Sequence, residues 1–270
     1  MAGMNRIDID GARLEIVHIA APDTATRRAP IVFLHEGLGS VAMWRDWPAA
    51  LCRATGRAGL VYSRRGYGRS DATPNFRGEP ALDHAARSGR LQADYLQHEA
   101  LAVLPALLTR LEIANPVLLG HSDGASIALI HASRLPVTAC IAMAPHVMVE
   151  DLSIESITQA RTAFEAGDLR QRLARYHADV DCAFWQWNDV WLSPAFRGFD
   201  IREDCRRIGA PVLAIQGTDD PYGTMAQIEQ IDLPPQLLER AVLEGCGHSP
   251  HRDQPEHAVQ LICDFLAPLA

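Results

Sequence analysis

The sequence predicts an α/β fold, in which a mostly parallel central sheet is flanked by helices and interrupted once by a helical cap insertion. Three observations predict it. Short, continuous apolar runs recur along the chain, as in strands buried on both faces of a sheet. Segments with helical spacing of apolar residues separate them, the alternation that produces parallel crossovers. Glycine-rich and polar clusters follow the runs directly, at the carboxyl ends of strands where ligands sit in such sheets.

Asn5 to Ala20 opens the chain with two alternating segments, IDI and RLEIVHI, around Asp10-Gly11, which predicts a hairpin. Ala21 to Pro30 is a polar, proline-bounded connection. Ile31 to Leu34 is a buried run that leads into HEGLGS at 35–40. Trp44, Trp47 and Leu51 then repeat at helical spacing. Gly59 to Tyr62 predicts another buried strand and runs into SRRGYGRS at 63–70. Asp71 to Gly89, polar and broken by prolines and glycines, predicts loop. Gln92 to Leu111 is the strongest amphipathic helix, with Leu96, Ala100, Val103, Leu104, Leu107 and Leu111 on one face.

Val117, Leu118 and Leu119 predict a strand, and Ala125 to His131 a helix, on either side of Gly120-His121-Ser122-Asp123-Gly124. Val137 to Met143, Ile208 to Ile215 and Glu239 to Leu243 predict the remaining strands, and His257 to Leu266 a closing helix. Between Glu150 and Ile208 the strand pattern lapses into three helix-like stretches: Ser153 to Ala166, Asp168 to Asp179 and Asp181 to Leu192. The last holds Trp185, Trp187 and Trp191. This segment leaves and re-enters the sheet, so 151–208 is read as a cap inserted into a core built from 1–150 and 209–270.

Composition narrows the chemistry. A net charge of -8 and the lack of a basic stripe argue against a nucleic-acid partner. All 25 basic residues are arginine, so Schiff-base chemistry, a P-loop lysine and a Ser-Lys dyad are excluded. The six cysteines lack any C-x-x-C pair or regular spacing and are read as reduced thiols. The amino-terminal stretch has acidic residues where a signal peptide needs apolar ones, so none is expected, and no apolar run approaches the roughly 18 residues of a membrane span. A cytoplasmic protein with a small-molecule substrate and no membrane partner is expected, monomer or homodimer being open.

The stretch Val117–Leu129 carries the chemistry. Strand, sharp turn and helix with a serine at the turn strain the Ser122 backbone so that its hydroxyl stands clear, and glycine at 120 and 124 removes the side chains that would collide. A serine hydroxyl needs a base to take its proton and a third group to orient that base. Candidates must lie at strand ends after Ser122. Asp219-Asp220 follows one run and His248 the next, giving the order serine, acid, histidine. Asp219, Glu150 and Asp151 are rival acids. His251 is read as a surface or supporting residue. His248, His251 and Asp253 have no companion ligand cluster, so neither metal nor cofactor is expected.

The chain resembles an α/β-hydrolase of the capped, single-domain kind over essentially its whole length. The matching residues are HEGLGS at 35–40, SRRGYGRS at 63–70, GHSDG at 120–124, QGTDD at 216–220, and CGHSPH with Pro255 at 246–255. The resemblance implies Asp220 as the acid, His248 as the base, and an oxyanion hole from the backbone N–H groups of Asp123 and Gly37. Three positions depart from the family pattern. Glu36 stands where glycine is usual and is expected to pair with Arg64 or Arg65, or to repel an anionic substrate. Ser63 stands where aspartate is common, which leaves the local charge more positive. Asp123 replaces a large apolar residue.

The expected activity is a serine hydrolase cleaving a carboxylic ester, thioester or lactone through an acyl-enzyme, with Ser122, Asp220 and His248 as the triad. Glu36, Arg64 and Trp185 are the expected substrate-binding residues. The alternative is a C–C bond hydrolase, or a lyase of the menaquinone-pathway type, that holds a carboxylated substrate with arginines such as Arg64, Arg65, Arg161 and Arg175. A ligand-binding protein on the same fold is the reading from a different class.

Overall fold

A computed structural model describes residues 4–22, 28–80 and 88–269. Parts of the predicted connection at 21–30 and of the loop at 71–89 therefore lie outside the described residues. Within them, eight strands form one sheet: β1 Met4–Ile9, β2 Ala12–Ile19, β3 Ile31–Leu34, β4 Gly59–Tyr62, β5 Val117–His121, β6 Ala139–Met143, β7 Val212–Gly217 and β8 Leu238–Leu243. Their order across the sheet is β1-β2-β4-β3-β5-β6-β7-β8. The predicted hairpin is present, turning through Asp10 (φ 50) and Gly11 (φ 82), the left-handed pair that matches strand twist. β2 runs antiparallel to β4, and every pairing from β4 to β8 is parallel.

β3, β4, β5, β6 and β7 are buried along their whole length, which explains their unalternating apolar sequences. Side chains still divide between two layers. Phe33 and Leu119 face one layer with Trp44, Trp47 and Leu51, while Val32, Leu34 and Leu118 face the other with Leu96, Leu104 and Leu107. β8, at the sheet edge, exposes Glu239 and Arg240.

The helices are α1 Trp47–Thr55, α2 Tyr95–His98, α3 Leu104–Arg110, α4 Asp123–Ala132, α5 Asp151–Ala166, α6 Leu169–Leu173, α7 Val180–Trp191, α8 Arg202–Cys205, α9 Ala226–Glu229, α10 Pro250–Asp253 and α11 Pro255–Leu266. Gln92 to Leu111 is less regular than its periodicity predicts. A π turn at Glu99–Val103 joins α2 to α3, just before Pro105, which has no N–H to give the Leu101 carbonyl.

Two further elements are shorter than predicted. β7 begins at Val212, because Pro211 cannot donate to a sheet ladder. The stretch Asp168 to Asp179 is helical only over α6. Beyond it, His177 Nδ1 accepts the Gly68 N–H at 3.0 Å and the Ala178 N–H reaches the Gly68 carbonyl at 2.8 Å, tying this stretch to the 66–70 turn instead. β6 and β7 are neighbours in the sheet, and α5 to α8 form the excursion between them. Among the described residues, no helix is long and apolar enough to cross a membrane.

Burial holds His35, His131, His146, His177 and His251 below the ordinary histidine value of 6.5, His146 at about 3. Between about pH 3 and 6.5 the unfolded chain thus binds more protons at these sites than the native one, so stability rises with pH across that window. The lowered Glu36 and Asp220 carboxyls act in the same direction near pH 4, and the raised Asp123 opposes them. The urea midpoint is predicted to fall steadily from pH 7 to pH 5. A flat profile would contradict the burial of neutral histidines.

Candidate active site

Ser122 sits between the last residue of β5 and the first of α4 with φ 54 and ψ -119, a conformation sterically costly for any residue with a side chain. Close packing imposes it. A Cβ on Gly120 would lie 2.1 Å from the Gly124 carbonyl oxygen, and a Cβ on Gly124 would lie 2.0 Å from that of Leu34. The turn is anchored by the Ser122 N–H on the Met143 carbonyl at 2.9 Å and by the Ala125 N–H on the Ser122 carbonyl at 2.8 Å. Asp123, the first residue of α4, has an N–H with no carbonyl one turn back to bond, at the positive end of the helix dipole.

β7 and the loop after β8 approach as closely. A Cβ on Gly217 would lie 2.2 Å from the Cys246 carbonyl oxygen, so no side chain separates the two strand ends. Asp220 and His248 meet there. His248 Nδ1 lies 2.9 and 2.8 Å from the Asp220 carboxylate oxygens. Gln216 Nε2 and the Tyr222 N–H each donate to Asp220 at 2.8 Å. Burial pushes the Asp220 carboxyl up, but the bond and charge of His248 outweigh it and hold it below the usual aspartate value. The Tyr222 ring packs 4.7 Å from that of His248. The rival acids are elsewhere. Asp219 is exposed and bonds Thr218, Glu150 bonds Thr224 and Gln227, and Asp151 pairs with Arg197.

Ser122, Asp123 and His248 line one cavity of about 190 Å³ together with Glu36, Gly37, Trp187 and Trp191. Gly37 faces α7 so closely that a Cβ there would meet Trp187 Nε1 at 2.2 Å. The Asp123 carboxylate, almost wholly buried, accepts from Tyr95 Oη at 2.6 Å and Trp191 Nε1 at 3.2 Å. Burial raises its pKa against the pull of Arg64 and these donors.

Glu36 is part-buried. Its partners are Arg252, at 2.9 Å, and His121, at 3.5 Å, and not the side chains of Arg64 or Arg65 as expected. Burial opposes its ionisation, yet His121 and Arg252 hold the carboxyl well below its ordinary value. Only the Glu36 backbone carbonyl meets Arg64. Arg64 itself lines a second cavity of about 100 Å³, and is not among the residues around Ser122. Trp185 also lies away from the cavity. On α7 it points nearly opposite Trp187 and Trp191, with the guanidinium of Arg77 3.8 Å from its ring centroid. The spacing of Trp187 and Trp191, four apart on one helix, is the signal that separates them from Trp185.

Several neighbours had no motif to announce them. His121 Nε2 donates to the His248 carbonyl at 2.6 Å, and its ring packs against those of His248 and His251. His251 is buried between His121 and Trp44, so it supports the site and is not a surface residue. The local charge at position 63 is not the more positive one expected, because the Glu15 carboxylate on β2 stands there, accepting from Ser63 Oγ at 2.7 Å and from the Arg69 N–H at 2.9 Å. Among the described residues, no group of three His, Cys, Asp or Glu side chains is placed to hold a metal ion.

A family model described as the alpha/beta hydrolase family matches residues 31–259. The chain is 26% identical to a non-heme chloroperoxidase of Streptomyces lividans, over 88% of this chain and 90% of that protein. It is 25% identical to an sn-1-specific diacylglycerol lipase of Xenopus laevis, over 88% of this chain and 79% of that one. Among solved structures, proline iminopeptidase of Mycobacterium smegmatis superposes with a TM-score of 0.72 at 19% identity, over 99% of this chain and 98% of that one.

The contact at Gly124 yields a test of the turn. Gly124→Ala is predicted to cost about 3 kcal/mol or more by urea unfolding, since the added methyl meets backbone oxygens that cannot move aside. A loss below about 1 kcal/mol would show that the turn has room and that Ser122 is not held by it.

Proposed function

We propose that this chain, which belongs to the alpha/beta hydrolase family, is a serine hydrolase acting on carboxylic esters through an acyl-enzyme. The observation that carries the reading is the convergence of a strained serine at the end of β5 with a histidine whose far nitrogen is held by a buried carboxylate, both lining one cavity. Ser122 Oγ attacks the ester carbonyl as its proton passes to His248 Nε2. Asp220 fixes the Nδ1–H tautomer and stabilises the imidazolium that forms. The carbonyl oxygen, negative in the tetrahedral intermediate, faces the N–H groups of Asp123 and Gly37, each contributing on the order of 3 kcal/mol. The intermediate collapses, the alcohol takes the His248 proton, and water repeats the sequence on the acyl-enzyme. Ester and water are the only reactants.

The similarity to a diacylglycerol lipase supports an ester substrate. Ile157, Trp187, Trp191 and Tyr222 give the cavity apolar and aromatic walls, which supports a partly apolar substrate of modest size. Among the described residues the one guanidinium that lines the cavity, Arg252, is already paired with Glu36, so they offer it no unengaged arginine of the kind a carboxylated C–C hydrolase substrate calls for.

With a p-nitrophenyl ester series, Ser122→Ala is predicted to abolish turnover while keeping the fold. Asp220→Asn should lower kcat by about 10⁴-fold through the wrong histidine tautomer. Undiminished turnover by Ser122→Ala would overturn the mechanism.

A further inference from the structure

Resting on the reading of Ser122 as the nucleophile, we propose that Arg64 is the positioning residue of the oxyanion hole, one guanidinium that holds both donor groups in place. Its Nη2 donates to the Glu36 carbonyl at 2.9 Å and lies 3.7 Å from Asp123 Oδ2. These are the two contacts that matter for the proposed donors. The Glu36 carbonyl and the Gly37 N–H belong to one planar peptide and point in opposite directions, so a pull on that oxygen aims the Gly37 N–H. The other donor is the N–H of Asp123, whose side chain the same nitrogen attracts.

His35 completes the grip. Its Nε2 accepts the Arg64 backbone N–H at 3.0 Å, which leaves Nδ1 to donate to the Glu36 carbonyl at 2.7 Å. The carbonyl behind Gly37 therefore takes three donors, the Gly39 N–H of its own turn at 3.0 Å, His35 Nδ1 and Arg64 Nη2, of which only the last is charged. Charge compensation is the second effect. A buried carboxylate directly after the nucleophile would oppose an oxyanion forming beside it, and Arg64, Tyr95 and Trp191 neutralise or bond both of its oxygens.

Packing does not account for this arginine. It is 5% exposed, and its Nε and Nη1 are buried without a hydrogen-bond partner. One carbonyl hydrogen bond, one ion contact and the Tyr67 ring 4.9 Å from the guanidinium do not by themselves offset its desolvation. A substrate anchor is not indicated either, because Arg64 lies behind the turn and not in the wall of the Ser122 cavity.

The test compares wild type, Arg64→Met and Arg64→Lys on a p-nitrophenyl ester, alongside the dissociation constant of phenylboronic acid, whose serine adduct places an oxygen where the oxyanion forms. Arg64→Met is expected to lower kcat on the order of 100-fold with KM within about twofold, as for a misplaced catalytic group. Phenylboronic acid should weaken by the same factor as kcat falls. Arg64→Lys, which keeps the charge but loses the fork, should recover about tenfold of that loss, and it carries the test if the Met variant does not fold. Unchanged kcat, a rise in KM alone, or a kcat loss with unaltered boronate affinity would overturn the proposal. A wild type with no Ser122-dependent ester cleavage would instead remove the hydrolase reading on which it rests.

Discussion

The site depends on one close approach, the backbone of Gly124 against the carbonyl oxygens of Leu34 and His35. That contact presses the first turn of α4 onto the end of β3 and leaves no path for the chain from β5 except through a left-handed residue. Ser122 is that residue. The strain stored at its backbone is offset by the buried parallel pairing of β3, β5 and β6 on either side. The same contact brings Asp123, at the start of α4, beside the turn that follows β3. A packing requirement between a helix and a strand thus sets the geometry of Ser122 and of its neighbouring N–H groups.

Three carboxylates surround the serine, and each has its own partners. Glu36 is engaged by Arg252 and His121, Asp123 by Arg64, Tyr95 and Trp191, and Asp220 by His248, Gln216 and the Tyr222 N–H. Unpartnered, they would surround the proposed nucleophile with negative charge and oppose attack on a carbonyl. Of the three, Asp220 is the one hydrogen-bonded to His248. His146, 5.8 Å from His248 between ring centroids, is kept neutral by burial and adds no competing positive charge.

Much of this was legible before the structure. The period of apolar residues marks the strands because burial on both faces leaves no polar position in them, and glycine at 120 and 124 marks a turn that admits no side chain. Chain order narrows the acid and the histidine to segments beyond the ends of parallel strands, and the family resemblance is what singles out Asp220 and His248 there. What was not legible depends on which way a side chain points. Glu36 meets Arg252 from α10, 216 residues away in sequence, and no local pattern announces that pairing. Trp185 and Trp187 differ only by their angle on α7. Glu15, on β2, stands in for an aspartate usual at position 63, a substitution across strands that only the pairing of β2 with β4 explains. The shortened α6 follows from contacts of His177 and Ala178 to Gly68, again far apart in the chain.

The most direct test of an activated serine in this turn is reaction of the folded protein with a fluorophosphonate, followed by intact mass and peptide mapping. A single adduct on Ser122, lost in His248→Ala, is the predicted result. A folded protein that takes no adduct, or takes one at another serine, would contradict the account.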